Sequence, residues 1–451
     1  MSKKTIWLLT AFSAIVLLLL SIPIANLLLQ RTYPAPSDDP EFKAVSDIMM
    51  KKCADCHTPD LTQYPLYFNL PFAKDVINED IRIAQSAFLL TQAKLAGREK
   101  FGAADMAMLS SAMAKQNMPP LRYIALHWDA GLSDKEQKLL VGWIQKRAKE
   151  FDIRAIPEEN FFKPDHAKAA LGEKLFNDKR LSGDKTISCA SCHGLDKGGS
   201  DQMQFATGIR GQKGIINTPT VFNAAYNFVQ FWDGRAKDLK AQVAGPLKNP
   251  LEMDSDWPQV MANLAADSEY QKQFRALYAD GISAESISDA ISEYEHTLLT
   301  PGSRFDKYLG GDLKALTDDE KAGFELFKKH ECASCHAGPA LGGLSYEKMG
   351  VKKDYFKDRG DIKDVDYGRF NVTHSLADKF RFKVPTLRNI EFTYPYFHDG
   401  SARTLEQAVK IMSEYQLDKA LSPSEIKQVS AFLRSLSGNL NAKPLSGSKS
   451  P

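Results

Sequence analysis

The sequence predicts a mainly α-helical protein built from several modules. Apolar residues recur at helical spacing behind Ser133, Thr317 and Ser422, each followed three positions later by Glu, the pattern of an N-terminal capping box. No run of strands with alternating apolar and polar residues is evident. A five-residue cysteine pattern occurs three times and marks three modules, which agrees with the two to four domains expected for 451 residues.

The N-terminal run at residues 5–29 has no charged side chain and predicts a transmembrane helix. About 20 apolar residues cross a bilayer, whereas a cleaved signal peptide has an apolar core of about 7–15. Length therefore favours an uncleaved anchor over a signal peptide. Lys3 and Lys4 precede the run, so the positive-inside rule predicts a cytoplasmic N-terminus and a chain that otherwise lies outside the cytoplasm.

The cysteines carry the strongest signal, because all six lie in three copies of C-x-x-C-H. In this pattern two thiols form thioethers to a haem, and the adjacent histidine reaches the iron. A zinc site needs four ligands, and a redox dithiol has no need of the histidine. The sequence therefore predicts three covalently bound c-type haems. Their attachment residues are Cys53, Cys56, Cys189, Cys192, Cys332 and Cys335, and their proximal iron ligands are His57, His193 and His336.

Two of the three modules repeat each other. Residues 171–176, before the second haem motif, match residues 322–327 before the third. Residues 219–223 match residues 385–389 with an offset of 166 positions. These ordered matches predict a tandem duplication, with additional residues after Gly343 in the second copy.

The composition and the motifs together predict the organisation of the chain. A net charge of +2 without a basic, aromatic-rich run argues against a nucleic-acid partner. The first module has the order of a small cytochrome c, namely helix, haem motif, loop and closing helix. The predicted segments are a cytoplasmic N-terminus at 1–4, the anchor at 5–29, a linker at 30–40, cytochrome c-like haem domains at 41–151, 152–310 and 311–440, and a disordered tail at 441–451.

The second axial ligand of each iron indicates whether that haem transfers electrons or binds a substrate. Methionine opposite histidine gives an electron-transfer haem of relatively high potential, whereas an open position admits peroxide. Met118 is the predicted ligand of the first haem because two prolines after it keep the segment extended, and His127 is the alternative. Met412 is the candidate for the third haem, although a methionine at helical spacing is also typical of core packing.

Residues 166–440 resemble the bacterial di-haem cytochrome c peroxidases. The resemblance lies in CASCHGLDKGGSD, NTPTVFNAAYNFVQFWDGRAKDLKAQVAGPLKNPLEM, LLTPGSRFDKYLGGD and VPTLRNIEFTYPYFHDG. With the anchor and the first haem module, the whole chain resembles the membrane-anchored trihaem branch, which includes quinol peroxidases. The resemblance implies that the haem of His193 reduces hydrogen peroxide to water. It also implies that the haem of His336, with Met412 opposite, supplies electrons.

The resemblance assigns further residues to the site. It implies that Glu252 is the catalytic acid and base, that Gln242 is its neighbour, and that Trp232 relays electrons between two haems. Peroxide cleavage moves a proton from one oxygen to the other, and a positioned carboxyl group takes and returns it. Desolvation beside a haem is expected to raise the pKa of this carboxyl. The resemblance also implies a calcium site with oxygen ligands from Asn217, Thr393 and Pro395.

The chain departs from this family in the loop after the second haem motif. Many di-haem relatives carry a histidine there that blocks the peroxidatic iron in the oxidised state. The matching position is Ile209, which has no donor atom, and no histidine lies between His193 and His296. The departure predicts an open or water-bound iron and activity without prior reduction. Met203, in the same loop, is the alternative ligand.

The electron donor is predicted through the anchor. A protein held at the membrane has quinol within reach, so membrane quinol is the expected donor and a soluble cytochrome c is the alternative. A non-catalytic multihaem carrier is the alternative outside the enzymes. The predicted location is the inner membrane, single-pass, with the catalytic domains in the periplasm, and the sequence predicts no oligomeric state.

Overall fold

The structure is a computed structural model of the chain. It describes residues 5, 21, 24–25, 39–59, 66–69, 73–115, 118–417, 419–445 and 449–450. The chain forms two compact units, residues 1–150 and residues 151–451. The predicted haem motif at Cys53 lies in the first unit, and the other two lie in the second.

The transmembrane prediction is corrected. A bilayer requires about 20 consecutive helical residues, but the longest helices of the described chain have 15 residues. None of the helices in the described ranges is long and apolar enough to cross a membrane. The predicted anchor and the predicted single-pass location in the inner membrane are therefore wrong for the part of the chain that the structure describes. Within 5–29, only residues 5, 21, 24 and 25 belong to that part.

The first unit is helical. Its helices are α1 Pro40–Lys52, α2 Ala54–His57, α3 Ala73–Ala87, α4 Gln92–Leu95, α5 Ala103–Lys115, α6 Leu121–Ile124 and α7 Asp134–Ala148, with 3₁₀ turns at Leu66–Asn69 and Lys149–Phe151. Helix α7 begins at the predicted capping box, where the Ser133 N–H donates to Glu136 Oε2 at 2.8 Å. Phe42, Phe101 and Trp143 pack together and join α1 to α7, with ring centroids 5.2–5.7 Å apart.

The second unit is also mainly helical. Its helices are α8 His166–Asn177, α9 Cys189–Cys192, α10 Leu239–Gln242, α11 Ala244–Lys248, α12 Trp257–Ala265, α13 Ser268–Leu277, α14 Ala284–Glu295, α15 Arg304–Leu309, α16 Asp318–Lys329, α17 Tyr355–Arg359, α18 Phe370–Thr373, α19 Leu405–Gln416 and α20 Pro423–Arg434. Short 3₁₀ turns lie at Lys179–Leu181, Leu195–Lys197, Ile209–Gly211, Ala224–Tyr226, Cys332–Ser334, Asp364–Tyr367, Leu376–Asp378 and Ile390–Phe392.

Four short strands complete this unit. Strands β1 Tyr346–Lys348 and β2 Arg381–Lys383 are antiparallel, with Tyr346 opposite Lys383. They bracket the additional residues that follow Gly343. Strands β3 Asn439–Leu440 and β4 Lys443–Pro444 form a second antiparallel pair, which lies at the start of the predicted tail.

The two halves of the second unit are built alike. Helix α8 packs on α14, and α16 packs on α20, each pair around its own apolar core. A Cβ at Gly172 would lie 1.8 Å from the Ala290 carbonyl oxygen, and one at Gly323 would lie 2.0 Å from that of Gln428. Both helix pairs therefore cross so closely that only glycine fits.

Two backbone hydrogen bonds between the halves are related to each other by the 166-residue offset of the repeat. The Asn217 N–H donates to the His398 carbonyl at 2.7 Å, and the Lys383 N–H donates to the Trp232 carbonyl at 2.8 Å. Lys383 is the counterpart of Asn217, and His398 is the counterpart of Trp232. The repeat found in the sequence is thus also a repeat of tertiary contacts.

Candidate active site

A cavity of about 380 Å³ lies beside the second haem motif. Its wall includes His193 together with three residues from the following 60 positions, Trp232, Gln242 and Glu252. The fold therefore brings together the proximal ligand, the acid and base, its neighbour and the relay residue that the resemblance implied. Their roles remain predictions.

The residues of this motif fit a c-type haem. The His193 Nδ1–H donates to the Gly199 carbonyl at 3.2 Å, which leaves Nε2 for a metal. Burial lowers the pKa of His193 and keeps the imidazole neutral, the form that ligates iron. Burial also raises the pKa of the Cys189 thiol to about 12 and that of Cys192 to about 11, so both sulfurs lie in surroundings suited to uncharged thioethers.

The other two motifs hold their histidines in the same way. The His57 Nδ1–H donates to the Phe88 carbonyl at 2.8 Å, and the His336 Nδ1–H donates to the Leu341 carbonyl at 3.2 Å. Burial lowers the pKa of His336 to about 4. Each motif thus presents two cysteines and a neutral histidine with one ring nitrogen left for iron.

Glu252 is held for proton transfer by its own loop. Its Oε1 accepts a hydrogen bond from Asn249 Nδ2 at 2.8 Å, and its backbone N–H donates to the Asn249 carbonyl at 3.0 Å. Burial raises the pKa of Glu252, while Arg235 and Asn249 act in the opposite direction. A carboxyl with a raised pKa beside a cavity is suited to take and return a proton. Sequence reasoning missed Asn249 and Arg235, although the Asn-x-x-Glu spacing offered a local signal for Asn249.

The loop that contains Ile209 is fastened to the Glu252 segment. The Ile209 N–H donates to the Glu252 carbonyl at 2.8 Å, and Arg210 pairs with Asp254 at 2.7 Å. The Ile209 side chain is fully buried, comes within 3.5 Å of a Cβ built at Gly183, and is not part of the cavity wall. The position of the blocking histidine is thus occupied by a residue without a donor atom whose side chain lies outside the cavity.

Trp232 connects the cavity to the third module. Its Nε1–H donates to the Asn217 carbonyl at 2.9 Å. Its ring packs against a cluster of Met349, Tyr355, Phe356 and Phe382, and Met412 packs against the same cluster. The relay residue and the predicted ligand of the third haem therefore share one apolar cluster.

The two candidates for the first haem differ in exposure. Met118 is 42 % exposed, whereas His127 is 3 % exposed, stacks on Tyr123 and hydrogen-bonds its carbonyl through Nδ1 at 3.1 Å. Neither position is tested by these contacts, and Met118 stays the prediction.

The predicted calcium ligands are already engaged with the protein. Asn217 Nδ2 donates to the Met203 carbonyl at 2.9 Å, and Thr393 Oγ1 donates to the Ile390 carbonyl at 3.2 Å. No hydrogen bond within the described chain joins Asn217 or Thr393 to Pro395, and the calcium site stays a prediction.

A separate acidic cluster of Asp366, His398 and Asp399 has metal-ligand spacing among the described residues. The Arg359 guanidinium bridges both aspartates, at 3.0 Å from Asp366 Oδ1 and 2.7 Å from Asp399 Oδ2. An arginine therefore already supplies the positive charge that a cation would bring.

Known proteins match both units. Residues 166–314 match the family described as di-haem cytochrome c peroxidase, and residues 14–146 match the family described as haem-binding domain. The chain is 42 % identical over 412 residues to cytochrome c peroxidase Ccp of Escherichia coli, covering 88 % of each protein. It is 49 % identical over 288 residues to cytochrome c551 peroxidase of Nitrosomonas europaea, covering 64 % of this chain and 83 % of that one.

A solved structure also resembles this chain. A MauG-like protein associated with microbial copper homeostasis matches with a TM-score of 0.56 and 29 % identity, covering 64 % of this chain and 93 % of that chain. These relatives confirm the prediction of a haem-dependent peroxidase, an oxidoreductase, while the membrane-anchored trihaem branch is not shown. The chain therefore belongs to the di-haem cytochrome c peroxidase family.

Proposed function

We propose that the protein reduces hydrogen peroxide to water, with electrons from a reduced c-type cytochrome. The observation that carries the proposal is the single cavity lined by His193, Glu252, Gln242 and Trp232. The names of the relatives from Escherichia coli and Nitrosomonas europaea, both cytochrome c peroxidases, support the substrate and the donor.

The chemistry divides between the haem and the chain. A haem attached to Cys189 and Cys192, with His193 as its ligand, would supply the redox chemistry by which peroxide, two electrons and two protons become two waters. Glu252 takes the proton from one peroxide oxygen and returns it to the other, so that water departs rather than hydroxide. Asn249 orients the carboxyl through its hydrogen bond at 2.8 Å. Gln242 offers an amide N–H to peroxide at the cavity wall.

We further propose three haems in one electron path. His57 and Met118 would hold the haem of the first unit, where electrons would enter. His336 and Met412 would hold the third haem, and Trp232 would relay electrons from it to the haem of His193. The shared packing of Trp232 and Met412 against one apolar cluster supports the last step.

The choice of donor rests on the names of the relatives. The proteins from Escherichia coli and Nitrosomonas europaea are both named cytochrome c peroxidases. We therefore propose a soluble c-type cytochrome as the donor, in place of membrane quinol. Steady-state peroxide reduction is expected to be faster with reduced cytochrome c than with a reduced water-soluble quinone analogue. Turnover with the quinol analogue alone would overturn the choice.

The haem arrangement has its own test. Haem per chain, measured by the pyridine haemochrome method on purified protein, is expected to be three. Replacing both cysteines of any one motif by alanine is expected to remove one haem. A wild-type count of two would overturn the three-haem path.

A further inference from the structure

Lys383 is a buried cation for which the described part of the chain provides no counter-ion. Its side chain is 7 % exposed, at the end of strand β2. No described carboxylate lies within 4.0 Å of its ammonium, and no hydrogen bond from that ammonium is found within the described chain. Burial lowers the pKa of Lys383 to about 8, and no acidic residue acts against it. Buried charges in proteins are nearly always paired, so the site calls for an anion, and the described residues do not supply one.

A second buried cation stands on the same face of the strand. Arg381 is 9 % exposed, and the one hydrogen bond of its guanidinium to a described residue is to the Tyr346 carbonyl, at 3.4 Å. Alternate residues of a strand point to the same side, so the side chains of Arg381 and Lys383 project together. Two neighbouring buried cations suit a group that carries more than one carboxylate.

The strand turns this charged face away from the second haem motif. Phe382, between the two cations, lines the cavity beside His193 and stacks on His398 with ring centroids 4.4 Å apart. Because successive side chains alternate, Lys383 points to the opposite side, and it is not part of that cavity wall.

The chain beyond Lys383 forms backbone hydrogen bonds with the loop that follows the third haem motif. The Gly343 N–H donates to the Val384 carbonyl at 2.8 Å, and the Leu387 N–H donates to the Ala340 carbonyl at 3.1 Å. The backbone of Pro385 also lies beside the His336 ring. Lys383 is thus two residues from backbone that contacts the proximal histidine of the third haem.

We propose that the Lys383 ammonium pairs with a propionate of the haem attached to Cys332 and Cys335. The inference rests on the third haem of the proposed function. It distinguishes the two repeated modules, because the counterpart of Lys383 in the second module is the uncharged Asn217. A fixed positive charge beside the third haem favours its reduced, less positive iron and raises its midpoint potential.

A redox titration tests the pairing. The haem-loaded full chain is titrated spectroelectrochemically, and the wave of the third haem is identified by its loss from a Cys332→Ala, Cys335→Ala double variant. Lys383→Met is expected to lower the midpoint potential of that wave alone. Lys383→Arg, which keeps the charge, and Lys363→Met, at a side chain that is 65 % exposed, are expected to leave it in place. An unmoved midpoint in Lys383→Met, or a shift confined to another wave, overturns the proposal.

The number of haems per chain, measured in wild type and in each Lys383 variant, distinguishes the possible outcomes of the titration. If Lys383→Met loses the third haem, Lys383→Arg is expected to retain it, and loss from both variants contradicts a role of the charge. A wild-type count below three overturns the haem arrangement and this inference with it. A full count with an unmoved midpoint overturns only the role of Lys383.

Discussion

The rings of Trp232 and His398 meet edge to face with their centroids 6.4 Å apart. The two residues occupy the same position in the two repeated modules, 166 residues apart. Only Trp232 lines the cavity beside His193. His398 is buried and pairs with Asp366 at 2.7 Å. The duplication has thus left one aromatic residue as the candidate relay and turned its counterpart into part of a buried polar network.

Replacing Trp232 by phenylalanine tests the relay. The change removes the indole N–H that holds the ring to the Asn217 carbonyl, together with part of the aromatic bridge. Electron transfer to the His193 haem is expected to slow by about tenfold, equivalent to ~1.4 kcal/mol on the barrier. Stopped-flow spectroscopy of the fully reduced protein mixed with peroxide measures this step. Trp257→Phe, at the start of α12, is the matched control, and equal rates in the two variants would remove Trp232 from the path.

Glu252→Gln tests the acid and base. Glutamine keeps the shape of the side chain but cannot take a proton from peroxide. Turnover is expected to fall by about 10²–10⁴-fold, with haem content and absorption spectrum unchanged. Glu325→Gln, on the exposed face of α16, is expected to keep wild-type turnover. A loss of less than about threefold in Glu252→Gln would assign the proton transfer to another group.

Asn249→Asp tests how the carboxyl is tuned. The Asn249 side chain donates to Glu252 and thereby favours its charged form. Aspartate loses that donor and adds a like charge, and both changes raise the pKa of Glu252 further. The acidic limb of kcat/KM against pH is therefore expected to move to higher pH. Asn263→Asp, whose side chain binds the Arg180 carbonyl, is expected to leave the limb in place. A limb that does not move in Asn249→Asp would show that Glu252 is not the group that titrates.

Local sequence patterns predicted the parts of the site that depend on short spacing. The capping boxes at Ser133, Thr317 and Ser422 are present, and each begins the expected helix. In each C-x-x-C-H motif the histidine Nδ1 contacts a backbone carbonyl, which leaves Nε2 for iron. The resemblance located Glu252, which now lines the cavity beside His193.

Tertiary contacts decided the features that the sequence did not predict. The distance along the chain from His193 identified Ile209 but could not predict where its side chain lies. The Ile209 N–H donates to the carbonyl of Glu252, 43 positions away, and this contact positions the loop. A lysine is usually exposed, but Lys383 is buried in the folded chain, where it lies opposite Tyr346 in the β1–β2 strand pair. Hydropathy alone favoured a membrane helix at 5–29, whereas no helix of the described residues is long and apolar enough to cross a membrane.

The raised pKa of Glu295 is expected to make the stability of the protein depend on pH. This carboxyl is buried at the cavity wall, and burial raises its pKa to about 8. Between the ordinary pKa of glutamate and about 8, the folded protein holds a proton that the unfolded chain has lost. The stabilising contribution is therefore complete below the ordinary pKa and is lost as the pH rises through about 8. Glu295→Gln is expected to raise the melting temperature at pH 8 relative to wild type, with the gap closing at pH 5. An equal gap at both pH values would contradict a protonated Glu295.

The central claim is that the iron of His193 has no protein ligand on its second side in the oxidised protein. It rests on Ile209, which lacks a donor atom and is held outside the cavity by the Glu252 carbonyl. Electron paramagnetic resonance of the oxidised, haem-loaded protein, recorded before any reduction, tests this claim most directly. The expected spectrum contains a high-spin ferric signal from one haem beside low-spin signals from the others. A spectrum in which every haem is low-spin, with an amino-acid ligand on each iron, would contradict it.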